Sequence, residues 1–334
     1  MIVARSYFTN EPMKILQIVQ PGRAVWREAP IPQPGDGEVL VKVEAITTCP
    51  HWDLHIMDGV PMFPGMELHY PYFAGQPGHE AVGVVVEAAT NVSGFTPGKR
   101  VAVWRDGGPR RQGCYAQYVC VDAKNLLSVP TSLAAEEIAS LELAMCVQVS
   151  FDQLAKLDAV RGKRFGISGL GPAGLIAVQM ARSYGAREVV GIDPLPAKRK
   201  LAAQLGANVV VSPDTPDLPA TRTGPTAFDA AIDTTGLKVS IEALMTRTKT
   251  AVAMFGVLRE KVEFGFDHWY GGFALLGYGE HNRQASEQAL RLILNGQLKL
   301  APLVTQHLPL SRYAEGVELL RKKQAIKICF HPDD

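Results

Sequence analysis

The sequence predicts an α/β protein in which a mostly β first part precedes a doubly wound parallel sheet. In the first part, short β-branched runs at 39–45 and 81–87 alternate with turns rich in proline and glycine. Further along the chain, strand-like runs alternate with helical segments, as they do where helices cover both faces of a parallel sheet. We therefore expect domains at residues 1–148 and 149–301, and a segment at 302–334 that returns to the first domain.

Strands and helices alternate regularly in the second part of the chain. The predicted elements are a strand at 164–168, a helix at 172–184, a strand at 188–192, a helix at 197–205, strands at 208–211, 228–232 and 250–255, an amphipathic helix at 312–322 and a strand at 326–330. Pro172 suits the first turn of its helix, because an N–H at that position would have no partner within the helix. Such alternation builds parallel strands joined by crossover helices.

Composition and charge bound the class of protein. Of the 334 residues, 47% are hydrophobic and 20% are charged, as in an ordinary globular protein. The net charge of +1 gives no polyanion-binding face, so we expect no nucleic-acid partner. Five cysteines make no disulfide framework and fit a reducing compartment. We find no apolar run of signal-peptide or membrane-spanning length, so we expect a cytoplasmic protein without a membrane partner, and residues 1–12 resemble an extension.

A glycine-rich turn follows the strand at 164–168, and its residues are Gly169, Leu170, Gly171, Pro172, Ala173 and Gly174. In a dinucleotide-binding turn the first glycine permits the tight bend, the second lets the pyrophosphate approach, and the third lets helix and strand pack closely. Asp193 ends the next strand, where a carboxylate accepts hydrogen bonds from the ribose and repels a 2′-phosphate. The sequence therefore predicts a Rossmann domain that binds NAD(H), although the nearby Lys198 and Arg199 leave NADP open.

Cysteine and histidine residues in the first part suggest a metal site. Cys49 lies 30 residues before His79, and Cys146 follows His79 after 67 residues. Two cysteines and one histidine are a known ligand set for catalytic zinc, and they leave the fourth tetrahedral position open. Each residue alone could be a buried thiol or an ordinary polar side chain. Together with the dinucleotide turn, they indicate hydride transfer between an alcohol and its carbonyl compound, with zinc polarising the oxygen.

The chain resembles the zinc-dependent medium-chain dehydrogenase/reductase family, which includes alcohol, sorbitol and threonine dehydrogenases. The matching segments are Cys49 with Asp53-Leu54-His55, Gly78-His79-Glu80-Ala81-Val82-Gly83, Pro97-Gly98-Lys99-Arg100-Val101, Gly113-Cys114-Tyr115-Ala116-Gln117-Tyr118, the turn 169–174, Asp193 and Asp233-Thr234-Thr235-Gly236. The resemblance implies a GroES-like catalytic domain before the Rossmann domain, alcohol dehydrogenase activity with NAD(H), one catalytic zinc per chain, and a homodimer or homotetramer. It also adds Thr234 to the expected cofactor-binding residues.

The resemblance implies roles for individual side chains in the first domain. Cys49 and His79 would bind zinc, and Asp53 would orient His79 through its other ring nitrogen. Glu80 would lie beside the metal and approach it transiently. His55 would lie near the cofactor ribose and pass protons to solvent.

Two residues are candidates for the third zinc ligand, since the family uses cysteine in some branches and a carboxylate in others. Cys146 has the spacing to Gly169 of the alcohol dehydrogenase pattern, in which the ligand opens the connecting helix. Glu142 matches the sorbitol dehydrogenase pattern, but it lies somewhat too far from Gly169. We therefore favour Cys146 and keep Glu142 as the alternative.

The chain departs from the family pattern in its cysteines. Many relatives carry a lobe with four closely spaced cysteines that bind a structural zinc. In this chain the corresponding segment, 103–113, is short and contains no cysteine. We therefore expect no structural zinc of that kind, and we expect Cys114, Cys120 and Cys329 to be interior thiols.

A second departure concerns the proton relay. The family pattern has two residues between the ligand cysteine and the aspartate, the second usually Ser or Thr, whereas this chain has Pro50-His51-Trp52. His51 could take over proton transfer, because imidazole titrates near neutrality. A water molecule or a hydroxyl of Thr47 or Thr48 remains an alternative, and Trp52 would narrow the pocket.

Two other functions stay open at this point. The first is a zinc-free quinone or enoyl reductase that uses NAD(P)H, which the short stretch 103–113 fits but the metal-ligand trio argues against. The second is a non-catalytic NAD-binding sensor or structural protein.

The aromatic segment 264–270 would line the cleft between the domains or, more simply, pack within the protein or contact a neighbouring subunit.

Overall fold

The computed structural model describes residues 12–108 and 110–333. Except for Pro12, the expected N-terminal extension lies outside these ranges. The described residues form two compact units, one from 12–62, 67–108, 110–135 and 306–333 and the other from 63–66 and 136–305. No helix within the described ranges is both long and apolar enough to cross a membrane.

The first unit is mostly β. Its elements before the second unit are β1 (Met13–Gln20), β2 (Arg23–Ala29), β3 (Glu38–Thr47), α1 (Pro50–Asp58), β4 (Glu80–Ala88), β5 (Arg100–Val103), β6 (Tyr118–Asp122) and β7 (Leu126–Ser128). Strands β1 and β2 form an antiparallel hairpin. Strand β3 carries a run of Val, Leu and Ile that is buried over most of its length, because it lies in the interior of the larger sheet.

The second unit alternates strands and helices as the sequence predicts. Its elements are α2 (Leu141–Ala155), β8 (Arg164–Ser168), α3 (Pro172–Ser183), β9 (Glu188–Ile192), α4 (Pro196–Gln204), β10 (Val209–Val211), β11 (Phe228–Asp233), α5 (Lys238–Arg247), β12 (Thr248–Met254), α6 (Phe266–Trp269), β13 (Ala274–Leu276) and α7 (Arg283–Leu294). The strands form a parallel sheet in the order β10-β9-β8-β11-β12-β13. The fold class predicted from the sequence is therefore confirmed.

The chain then returns to the first unit. The returning elements are β14 (Val304–Pro309), α8 (Tyr313–Arg321) and β15 (Lys327–His331). Strand β15 lies between β14 and β3 in a sheet of order β14-β15-β3-β4-β5-β7, with β6 also paired to β3. The antiparallel register sets Cys329 opposite Thr47, and Thr47 opposite Glu80 on β4. Three strands thus place residues from distant parts of the sequence side by side.

Aromatic packing holds the returning segment in place. The rings of Tyr115 and Tyr313 lie 5.1 Å apart, and Phe330 packs on both, at 5.9 and 5.7 Å. All three side chains are buried, so they contribute apolar burial as well as ring contacts. Gly316 on α8 has no side chain because a Cβ there would lie 2.6 Å from the Phe330 ring. Helix α8 can therefore lie directly on β15.

Candidate functional site

The first unit gathers a cysteine, a histidine and a glutamate at one end of its sheet. Strand β3 ends at Thr47, opposite Glu80, where β4 begins. The chain that leaves β3 at Cys49 therefore lies beside the chain that enters β4 at His79. The ligand atoms of Cys49, His79 and Glu80 all lie within 4.8 Å of one another. The two residues that the sequence pairs as metal ligands across 30 positions are thus brought together.

A backbone carbonyl orients His79. Its Nδ1 lies 2.8 Å from the carbonyl oxygen of Pro77, which can only accept a hydrogen bond. The proton therefore belongs on Nδ1, and Nε2 carries the lone pair that a metal requires. The resemblance to zinc-dependent dehydrogenases implies that Asp53 orients a metal ligand such as His79. Because the Pro77 carbonyl already contacts Nδ1, that role of Asp53 stays a prediction.

Asp53 lies one helical turn after Cys49. Its N–H donates to the carbonyl of Cys49 at 2.9 Å, so Cys49 is the N-cap of α1 and Asp53 closes the first turn. The three residues between them are a helical turn that begins at Pro50. Cys49 and Asp53 are therefore held one helical turn apart by backbone hydrogen bonding.

The Asp53 carboxylate is buried in a polar pocket. Its Oδ1 accepts hydrogen bonds from the hydroxyls of Tyr115 and Tyr313, each at 2.8 Å, while Oδ2 has no hydrogen-bond partner among the described residues. Burial raises the pKa of Asp53 to about 6, and the two hydroxyls and the nearby His79 and Lys327 partly oppose that shift. Its second oxygen is an orphaned acceptor beside the Cys49 turn, which suits a positively charged occupant nearby.

Glu80 is fixed by a buried cation. Lys327 Nζ contacts its two carboxylate oxygens at 2.8 and 2.7 Å, and the Thr47 hydroxyl donates to it at 3.1 Å. Both charged side chains are fully buried. Lys327 Nζ also donates to the carbonyl of Thr48. Glu80 was expected beside the metal ligands, whereas Lys327 was not predicted as its partner. A lysine at the start of the apolar strand β15 is the one feature of the local sequence that points to it.

Helix α1 presents further candidate residues. The Trp52 ring lies 6.5 Å from the His79 ring. His51, which is exposed, and His55 are one turn apart, and their rings meet edge to face at 5.8 Å. His55 Nδ1 lies 3.2 Å from the carbonyl of Val60.

The two threonines considered for the proton relay are engaged elsewhere. The Thr47 hydroxyl donates to Glu80, and the Thr48 hydroxyl oxygen accepts from the N–H of Ile328 at 2.9 Å. Both threonines are buried. The Thr47 hydroxyl therefore helps to fix Glu80 on β4, and the Thr48 hydroxyl holds β15 at the end of β3.

The second unit contains its own cluster of metal-ligating side chains. Glu142 and Cys146 lie one turn apart on α2, with Cys146 Sγ at 3.1 Å from the Glu142 carboxylate. Cys146 Sγ also lies 3.4 Å from Nε2 of His281. Both candidates for the third ligand thus occupy one place. Sequence reasoning missed His281 because it lies 135 positions from Cys146 and belongs to no recognisable motif.

The glycine turn has the shape that its sequence predicts. Gly169 has φ +85°, and a Cβ there would lie 2.7 Å from Thr235. A Cβ on Gly174 would lie 1.8 Å from the carbonyl oxygen of Gly169, so the first turn of α3 can pack this closely on the preceding strand only if residue 174 is glycine. A Cβ on Gly171 would meet no protein atom within 4 Å. Open space therefore adjoins the N-terminus of α3, which has no side-chain cap, and a pyrophosphate fits there.

Two side chains hold this turn in position. The Asp193 carboxylate accepts from the N–H groups of Leu170 and Leu195, each at 2.8 Å. The Thr234 hydroxyl donates to the carbonyls of Ser168 and Gly169 at 3.0 and 2.8 Å. Both residues predicted to bind the cofactor therefore contact the turn or its strand directly.

Arg199 contacts the backbone just after β9. Its Nη1 donates to the carbonyls of Asp193 and Pro194 at 2.7 and 2.9 Å. The group therefore stabilises the chain reversal after β9.

Two family models match the chain. The model of the alcohol dehydrogenase GroES-like domain covers residues 35–131, and that of zinc-binding dehydrogenases covers residues 172–295. L-threonine 3-dehydrogenase from Pyrococcus horikoshii is 28% identical over 353 residues, which span 96% of this chain and 99% of that protein.

Solved structures show the same architecture. A zinc-binding dehydrogenase from Sinorhizobium meliloti bound to NADP is 26% identical with a TM-score of 0.82, over 96% of this chain and 100% of that one. The fold of 2R,3R-butanediol dehydrogenase from Bacillus subtilis is similar, with a TM-score of 0.84 at 23% identity over 96% and 99% of the two chains. The chain therefore belongs to the zinc-type medium-chain dehydrogenase family and is an alcohol dehydrogenase-like oxidoreductase. Membership supports zinc and NAD(P) as cofactors.

Replacing Lys327 by Met should leave Glu80 buried without its cation. We expect the free energy of unfolding to fall by about 3–5 kcal/mol, because an uncompensated buried charge is costly. The double variant with Glu80→Gln should lose less, since it removes the orphaned charge. Lys42→Met is the control: it breaks a half-exposed pair with Asp333 and should cost under about 1 kcal/mol. Equal urea midpoints for the two single variants would contradict the importance of the buried pair.

Asp53 should make stability depend on pH in chelator-treated protein. Its pKa is about 6 in the folded chain against 3.8 in the unfolded one, so between these values the folded chain holds a proton that the unfolded chain has released. The free energy of unfolding should therefore fall by about 3 kcal/mol as pH rises through this window, and stay level above it. Asp53→Asn should abolish this contribution. Urea midpoints of both proteins from pH 4 to 7 check it, and parallel curves would refute it.

Proposed function

We propose that the protein transfers a hydride between an alcohol, or its aldehyde or ketone, and NAD(H), with zinc acting as a Lewis acid on the substrate oxygen. The observation that carries this proposal is the cluster of Cys49 and His79 beside the buried Glu80, in a member of a family of zinc-binding dehydrogenases. Thiolate sulfur and imidazole nitrogen are the donors that zinc prefers. His79 already has the tautomer that metal binding requires.

We propose Cys49 and His79 as zinc ligands and take the third ligand from Cys146 or Glu142. A catalytic zinc has three protein ligands and an open fourth position. Cys146 or Glu142 would supply the thiolate or carboxylate of the third ligand, and within the second unit these two residues form a cluster with His281. When bound, the metal would polarise the substrate oxygen and favour the hydride-donating form of the alcohol.

The remaining residues of the first unit have supporting roles in this proposal. Lys327 neutralises Glu80 and fixes its carboxylate, so that Glu80 shapes the field at the cluster without competing permanently for the metal. Asp53, at the end of the first turn of α1, adds a negative potential that stabilises a cation near Cys49. His51 and His55, whose rings are adjacent on α1, carry the substrate proton to solvent in place of the missing Ser or Thr.

We propose NAD(H) as the preferred cofactor. Its pyrophosphate would lie at Gly171 and the N-terminus of α3, where a side chain is absent and the helix dipole favours anions. Asp193 would face the ribose and disfavour a 2′-phosphate.

The proposal includes assembly of identical chains into a homodimer or homotetramer. Phe266, Trp269 and Tyr270, on or next to α6, are each at least 70% exposed. Large apolar side chains grouped in this way are typical of a protein contact surface. They offer one place for a contact between copies.

The metal cluster can be tested by substitution. Cys49→Ser and His79→Ala should lower kcat/KM by about 10³-fold or more, because a Lewis acid supplies several kcal/mol of transition-state stabilisation. Both variants should lose a zinc ion without losing the fold. The measurements are elemental analysis, circular dichroism and NAD-linked oxidation of secondary alcohols, starting with the threonine and butanediol that the names of two relatives indicate.

Two variants serve as controls for this experiment. His51→Gln should keep the zinc but lower kcat, which separates proton transfer from metal binding. His69→Ala changes an exposed histidine outside the clusters and should alter neither quantity. Full turnover by Cys49→Ser would refute the zinc mechanism, and zinc-free protein that reduces quinones or enones would favour the zinc-free reductase.

Two substitutions in the glycine turn distinguish an effect on cofactor binding from an effect on stability. Gly171→Ala adds a methyl group to open space, so the fold should be unchanged while the Kd for NADH rises more than about tenfold. Gly174→Ala drives a methyl group into the Gly169 carbonyl and should lower the free energy of unfolding by about 1–3 kcal/mol or more. Thermal midpoints and NADH titration measure both. Unchanged NADH affinity in Gly171→Ala would place the pyrophosphate elsewhere.

A further inference from the structure

A second cluster of metal-ligating side chains lies in the first unit, apart from the Cys49 cluster. It consists of His307 on β14 and Cys329 and His331 on β15, whose ligand atoms all lie within 4.8 Å of one another. We propose that these three side chains bind a second divalent transition-metal ion, zinc, at the edge of the sheet.

The strands place the three ligands on one surface. Cys329 and His331 are two positions apart on β15, so their side chains point to the same face of the sheet. Strand β14 is the neighbour of β15 and the last strand of the sheet, so His307 reaches the same face from the edge. The cluster is therefore built from regular secondary structure, which holds ligands more firmly than a loop does.

The two separations that involve His331 are close to those of tetrahedral coordination. Zinc bonds of about 2.05 Å to nitrogen and 2.3 Å to sulfur put two nitrogen ligands about 3.3 Å apart, and a nitrogen and a sulfur about 3.6 Å apart. His307 Nδ1 and His331 Nε2 are 3.5 Å apart, and Cys329 Sγ lies 3.8 Å from the same Nε2. A small contraction around an ion would bring both separations to the tetrahedral values.

Burial changes across the cluster in the way an accessible metal site requires. Cys329 is fully buried, His331 is partly buried and His307 is exposed. The thiol therefore lies at the protected end, and an ion can enter from the solvent side. Two imidazoles and one thiol leave one tetrahedral position for water, and this donor set selects zinc over hard cations such as magnesium or calcium.

The simpler explanation of the cluster is a hydrogen bond between the two imidazoles. A neutral imidazole can donate to another at 3.5 Å, although this is long for such a bond. The two explanations differ in one measurable quantity, which is the number of ions bound per chain.

The test is the zinc content of untagged, full-length protein after equilibration with ZnCl2 and dialysis into metal-free buffer. The His307→Ala variant should hold about one zinc per chain less than the wild type, since loss of one ligand of three leaves a weak site. His307 is exposed, so this variant should fold normally. His69→Ala is the matched control, because it also removes an exposed histidine and should hold as much zinc as the wild type.

Cobalt(II) identifies the thiol ligand. In a Cys49→Ser/Cys146→Ser background, Co²⁺ should still give the sulfur-to-metal charge-transfer absorption of a thiolate complex, and adding His307→Ala should abolish it. The proposal would be overturned if the wild type and His307→Ala held equal amounts of zinc, or if the cobalt absorption were the same with and without His307. The two imidazoles would then be explained by a hydrogen bond alone. Because the readouts are metal content and absorption, the result does not depend on the proposed dehydrogenase activity.

Discussion

The buried ion pair between Glu80 and Lys327 is the interaction on which the first unit depends. Neither charge can be buried alone, so β15, which carries Lys327, must lie close enough to Glu80 on β4, 247 positions away, for the two side chains to meet at the end of the intervening strand β3. The hydrogen bond from Tyr313 to Asp53 joins the same two regions across 260 positions. Both contacts lie beside Cys49 and His79. The geometry of the candidate metal site is therefore set by residues beyond 131 and 295, where the matched family models end.

The same ion pair bears on which atoms can bind metal. Glu80 lies within 4.8 Å of the Cys49 and His79 ligand atoms, yet Lys327 holds both of its oxygens. To become a permanent ligand, Glu80 would have to leave a buried ammonium group without its counter-charge. In the proposed zinc site the first unit would thus supply one sulfur, from Cys49, and one nitrogen, from His79, and Glu80 would not be a permanent ligand.

Local chemistry could be predicted from the sequence, and long-range pairing could not. The glycine turn, its strand and its helix were predicted to within one or two residues, because glycine, proline and hydrophobic periodicity act over a few positions. Cys49 and His79 were recognised by their motifs. The roles of Lys327, Tyr313 and His281 were not predicted, because no pattern in the sequence around them indicates which distant residues they contact. The helix that begins at Pro50 was not predicted either, although Cys49 and Asp53 were both recognised.

Strand β15 links the two candidate metal clusters within the first unit. Lys327, Cys329 and His331 alternate along one face of the strand, while Ile328 and Phe330 occupy the other. The first of the three fixes Glu80, and the other two belong to the cluster with His307 on β14. An ion bound to that cluster would tie β15 to its edge neighbour β14, while Lys327 ties the same strand on its other side to Thr48 and Glu80, beside Cys49 and His79.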